Sequence, residues 1–98
     1  MPRVLVAARV RVPAEAMSDW LGTAGALARS FSARGQHLWV FRHEREGGLH
    51  LEFREGASRE QLAPADAAER ALAARLSSLG HYEDTEVVWE SVSLPSGE

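Results

Sequence analysis

No cysteine occurs among the 98 residues, and lysine, asparagine and isoleucine are missing too. The first absence removes disulfides, Cys-ligated zinc, iron–sulfur clusters and thiol catalysis together. The other three residue types have A/T-rich codons, so their joint absence points to a high-GC bacterial genome. The all-arginine usage therefore says nothing about selection for anion binding. Long apolar runs are lacking as well, since nothing approaches the roughly 20 residues needed to span a bilayer. Arg9 and Arg11 interrupt the apolar N-terminal stretch, which is not the layout of a signal peptide. These features predict a cytoplasmic protein without a membrane partner. A net charge of −3 argues against nucleic acid as a partner.

What remains is a composition that folds. Hydrophobic residues make up 45% and charged residues 26%, enough for one core in one domain. The domain is expected over residues 1–94, with residues 95–98 a mobile tail.

The most patterned stretch is QHLWVFRHEREGGLHLEFRE, residues 36–55. Two alternating runs flank Gly47-Gly48, which predicts a β-hairpin. Leu38 and Val40 share one face of the first run, and His37, Trp39, Phe41 and His43 share the other. In the second run Leu49, Leu51 and Phe53 fall on one side, and His50, Glu52 and Arg54 on the opposite one. A two-residue turn would set His43 opposite Glu52, and a four-residue loop would set it opposite His50. Both loops are even, so both give the same faces. Leu38, Val40, Leu49, Leu51 and Phe53 are then expected to line the core. The other face would carry His37, Trp39, Phe41, His43, His50, Glu52 and Arg54.

The remaining chain supplies four more elements. Residues 3–12 read as a strand with Val4, Val6, Ala8, Val10 and Val12 on one face. Residues 14–34 read as a helix carrying Met17, Trp20, Leu21, Ala24, Leu27 or Ala28, and Phe31 at helical spacing, ended by Gly35. Gly22 and Gly25 weaken it, so a break there is the alternative. Ser58 and Gln61 resemble a capping box, which predicts a short turn over 58–63. The main helix is expected over 64–79, with a stripe of Ala65, Ala68, Leu72, Leu76 and Leu79. Asp66 and Glu69 near its start suit the helix dipole. Residues 83–94 read as the last strand, with Val88 on one side and Val87 and Trp89 on the other. His81 is expected at the surface or at the helix cap.

Strand, helix, strand, strand, helix, strand is the ferredoxin-like βαββαβ order of an α+β fold. Right-handed crossovers place both helices on one face of a four-stranded antiparallel sheet, with the first and third strands central. The helix-free face would collect Arg9, Trp39, Phe41 and Trp89 with the hairpin's polar residues. Such an aromatic face marks an interface or a ligand site.

This layout, with its aromatic strand at 38–43, glycine turn and following strand at 49–54, resembles the dimeric α+β barrel group. Antibiotic-biosynthesis-type monooxygenases are its best-known members. The resemblance implies a homodimer pairing two sheets, and a cofactor-free monooxygenase-like or isomerase-like activity on a small aromatic or anionic molecule. Cofactor-free oxygenases of the group use Asn and Trp in the pocket; this chain has no Asn, and Phe53 and Arg54 stand near the end of the third strand where members often carry Trp. No catalytic residue is therefore carried over. From the residues themselves, His43 or His50 are the candidate bases, because imidazole titrates near neutral pH. Trp39, Phe41 and Trp89 would stack a ligand, Arg54 or Arg9 would hold its oxygen, and Glu52 would orient the imidazole. The competing readings are a filled, non-catalytic dimer interface and an Arg–Glu52 ion pair. His43, His50 and Glu52 could also be read as metal ligands, but three such residues on one hairpin arise by chance. No metal or cofactor is expected.

Overall fold

The computed structural model describes residues 2–83 and 86–95. The elements are β1 (Val4–Arg11), α1 (Met17–Ala33), β2 (His37–Arg42), β3 (Leu49–Gly56), α2 (Ala67–Leu79), β4 (His81–Tyr82) and β5 (Val87–Glu90). All strand pairs are antiparallel, in the order β2-β3-β1-β4, and β5 also pairs β1. This is the expected α+β arrangement, with the first and third strands central. The expected last strand is divided: β4 pairs the end of β1 at Val10 and Arg11, and β5 pairs its start from Val4 to Ala7. Residues 84 and 85 of that expected strand, and 96–98 of the expected tail, lie outside the described residues.

The core sits between the sheet and the helices. Val6, Val10 and Val12 of the first strand region meet Trp20, Leu27 and Phe31 of α1, with Leu38, Leu62 and Leu76 closing the cluster. A 3-10 turn, Ala14–Ala16, leads into α1, which runs unbroken through Gly22 and Gly25. Its buried stripe passes through Thr23 rather than Leu21, which stays exposed. Gly35 follows at φ 77°, the left-handed conformation that a helix end favours in glycine.

The second helix starts later than expected. It begins at Ala67 rather than at residue 64, and Asp66 caps it, its side chain accepting the Glu69 N–H at 2.9 Å. A separate 3-10 turn, Glu60–Leu62, precedes it. The capping box forms only halfway: Ser58 Oγ accepts from the Gln61 N–H, while the Gln61 side chain accepts from Gln36. Ala65 and Ala68 are exposed, and Glu69 is buried in their place. Glu69 is therefore not a dipole partner in solvent. It accepts from Arg34, from Ser30 Oγ and from the Ala65 N–H, and so ties the end of α1 to the start of α2.

The hairpin register overturns the expected faces of β3. Arg42 pairs His50, Trp39 pairs Phe53, and the His43 N–H donates to the Leu49 carbonyl at 2.9 Å. The loop is residues 44–48, an odd length, and a one-residue change of register moves every side chain to the other face. The side chain of His43 holds this loop, because its Nδ1 accepts the N–H groups of Arg45 and Glu46 at 3.1 and 3.0 Å. Gly47-Gly48 still make the turn, closed by the Leu49 N–H on the Glu46 carbonyl. Leu51 and Phe53 consequently lie on the helix-free face, opposite Arg9 and Ala7. His50, Glu52 and Arg54 lie on the helix side, opposite Val10, Ala8 and Val6.

Candidate functional site

Burial of β3's polar face is tolerable only if its groups find partners. Arg54 and Glu52 stand two residues apart on one strand, and therefore on one face. Arg54 Nε donates to Glu52 Oε2 at 3.0 Å. Glu52, 3% exposed, also accepts at Oε1 from the Tyr82 hydroxyl at 2.7 Å. The same hydroxyl accepts from Trp20 Nε1 at 3.3 Å. Four side chains from β3, β4 and α1 thus form one chain of hydrogen bonds. Burial and the adjacent Glu52 carboxylate push the Tyr82 phenol far above its ordinary pKa, so it remains a proton donor.

This chain borders a cleft of about 430 Å³ between the sheet and α2. Val6, Ala8, Leu62 and Ala73 give it apolar walls, and Arg59, Glu83 and Glu86 supply its other charged groups. Arg54 lines the cleft, and no described residue accepts a hydrogen bond from its two terminal nitrogens. Here the guanidinium can receive an oxygen through its terminal N–H groups, and the neighbouring carboxylate can take that oxygen's proton.

The expected site residues are divided between four places. Glu52 and Arg54 meet in the cleft. His50 is on the same face but outside it: the residue is 2% exposed, and its ring lies 5.1 Å from the Trp20 ring with Nδ1 3.2 Å from the Gly48 carbonyl. His43 belongs to the hairpin loop. His43 is out of parity with His50 and Glu52, so the three do not form one cluster, and no described group of His, Asp and Glu could hold a metal ion.

Trp39, Phe41, Trp89 and Arg9 occupy the helix-free face. Trp39, Phe41 and Trp89 are 46%, 59% and 57% exposed. Phe41 meets Phe53 edge-on at 5.4 Å, and His37 stacks on Trp39 at 5.2 Å. Arg9 pairs with Glu83 at 3.4 Å. At one rim Arg3 donates twice to Glu55, and these hydrogen bonds hold the carboxyl below its usual pKa. Sequence reasoning missed Tyr82 and Trp20 as members of the polar chain. Tyr82 directly follows His81, and its hydroxyl was the available signal, because a half-buried phenol needs a partner.

No family model matches the chain, and no curated protein matches its sequence. Solved structures do match. A conserved protein of unknown function from Bacteroides thetaiotaomicron superposes with a TM-score of 0.78 at 14% identity, over 92% of this chain and 98% of that one. SnoaB, a cofactor-independent oxygenase from Streptomyces nogalater, superposes at 0.72 with 16% identity over 100% of both chains. The chain has the fold of the antibiotic biosynthesis monooxygenases. A further protein of that description matches at 0.69 with 16% identity, over 94% of this chain and 99% of that one. At these identities the likeness concerns the fold and leaves activity to the residues.

Proposed function

We propose that the chain is a monooxygenase-like protein that binds and transforms a small aromatic molecule bearing an acidic or enolisable oxygen, and that the cleft between the sheet and α2 is its site. The carrying observation is the Glu52–Arg54–Tyr82 cluster, buried yet bordering open space. Arg54 would hold the ligand oxygen through its terminal N–H groups, and Glu52 would take its proton. Tyr82, kept protonated, would orient Glu52. The role first expected of His43 and His50 thus falls to Glu52. Oxygenase activity in SnoaB, which shares the fold, supports the reaction class. No metal or organic cofactor is invoked.

The helix-free face serves a different purpose in this reading. Trp39, Phe41, Leu51, Val87 and Trp89 are all at least 40% exposed, and a face of that kind is covered by a second copy in a homodimer. Arg3, His37 and Glu55 would form its polar rim.

The test is a screen of phenols, quinones and aromatic acids by thermal shift and Trp fluorescence, followed by oxygen-uptake assays on any binder. Wild type should respond and Arg54→Ala should not. Equal binding by Arg54→Ala and Tyr82→Phe would place the ligand elsewhere.

A further inference from the structure

We infer that Glu52 makes the cleft selective for ligands that arrive neutral with their proton attached, such as phenols and enols, against ligands that arrive as anions. The inference rests on the cleft being the ligand site and concerns which protonation state enters it.

An anion receptor needs positive charge that the protein itself has not neutralised. Arg54 does not provide it, because its partner Glu52 is 3.0 Å away and itself buried in the core. The other groups facing Glu52 do not provide it either. From β4 comes Tyr82, whose hydroxyl donates to the carboxylate. From α1 comes Trp20, joined through that hydroxyl, and α2 brings only Ala73 and Ser77 to the cleft. The mouth adds Arg59, Glu83 and Glu86, so the described residues of the cleft set two arginines against three glutamates. Arg9 meets Glu83 from the helix-free side, but both are about half exposed and solvent screens the pair. A carboxylate ligand would lose its water shell beside the Glu52 carboxylate, and Arg54, already paired with Glu52, would offset only part of the loss.

A neutral O–H group fits the same atoms without that cost. Tyr82 uses one acceptor position on Oε1 and Arg54 one on Oε2, and a carboxylate has about four. The ligand hydroxyl can donate to Glu52 while its oxygen accepts from a terminal nitrogen of Arg54. Transfer of the proton then breaks the ligand O–H bond and forms an O–H bond on Glu52. The electron pair stays on the ligand oxygen, now an oxyanion against Arg54, and the net charge of the site does not change. The carboxylate thus acts twice, excluding ready-made anions and generating one in place.

Calorimetric titration of wild type with 4-nitrophenol, across the phenol's own near-neutral pKa, gives a sign test. Affinity should fall about tenfold per pH unit above that pKa, because only the protonated ligand is taken up. Below it, 4-nitrobenzoate should bind at least about tenfold more weakly than the phenol. Glu52→Gln should flatten the pH profile and close the gap between the probes. Affinity that rises with pH through the phenol's pKa, or nitrobenzoate binding as well as nitrophenol, overturns the inference while leaving the cleft as the site. Binding of neither probe at any pH overturns both. The wild-type profile decides the matter even if Glu52→Gln does not fold.

Discussion

Glu69→Gln should destabilise the protein strongly at neutral pH and hardly at all in acid. Glu69 is 2% exposed and accepts four hydrogen bonds, two from Arg34, one from Ser30 Oγ and one from the Ala65 N–H. These donors, with the Arg34 hydrogen bond foremost and the Arg34 charge adding to it, hold its pKa at about 2 rather than 4.5 against the opposing effect of burial. The group is ionised more readily in the folded than in the unfolded chain. Its stabilisation is therefore complete above about pH 4.5 and is lost as pH falls towards 2. At about 1.4 kcal/mol per unit the shift is worth about 3 kcal/mol. An amide has one oxygen where the carboxylate has two, so Gln at this position would turn an N–H towards donors that need an acceptor. A loss of about 2–3 kcal/mol follows, or a melting point lower by roughly 10–20 °C. Urea unfolding of both proteins at one fixed protein concentration, at neutral pH and in steps down to pH 2, measures it. A difference that does not shrink below pH 4.5, or one under about 0.5 kcal/mol at neutral pH, would refute the reasoning.

Three further outcomes follow from the same geometry. Gly56→Ala should cost about 2 kcal/mol or more in urea unfolding, since its Cβ would collide with Gln36 Oε1 and lie 2.8 Å from Leu62 Cδ2. His43→Ala should cost about 1 kcal/mol by releasing two loop amides, and should leave ligand binding in the cleft unchanged. Light scattering on a sizing column should return twice the chain mass of 10.7 kDa, and Trp39→Glu should move the protein towards monomer, because a buried unpaired charge costs several kcal/mol.

Periodicity made most of the fold legible. The faces of β1 and β2 and the two helices follow from apolar spacing. Gly35 ended α1 as its position required. The faces of β3 were not legible, because parity there depends on whether the loop is odd or even. That was decided by the Nδ1 atom of His43 accepting two amides, a contact that the glycine pair did not advertise. The default of turning Leu51 and Phe53 inward also failed for a physical reason. The sheet has apolar residues on both faces, and Glu52 and Arg54 can satisfy each other inside. Glu69 was misread in the same way: its spacing from Asp66 suited an exposed first turn, and only the fold brings Arg34 to it.

Whether the Glu52–Arg54 pair exists for stability or for function can be decided by a mutant cycle. A buried ion pair is often no better than apolar side chains of similar volume, whereas removing one partner strands the other. Glu52→Leu alone should therefore cost about 3 kcal/mol or more, because it leaves Arg54 facing Phe31 and the cleft without its carboxylate. Adding Arg54→Met removes the stranded charge. The pair then leaves Leu and Met against Val6 and Ala8, and the double variant should return to within about 1 kcal/mol of wild type. Tyr82 loses its acceptor, but the cleft beside it admits water. The double variant should nonetheless bind no phenol. Recovery of stability without recovery of binding would mean that the buried charges are kept for the ligand, at a site where an apolar core would fold as well. A double variant as unstable as Glu52→Leu would instead show that the pair holds β3 against β4, and the case for the cleft as an evolved site would lose its strongest support.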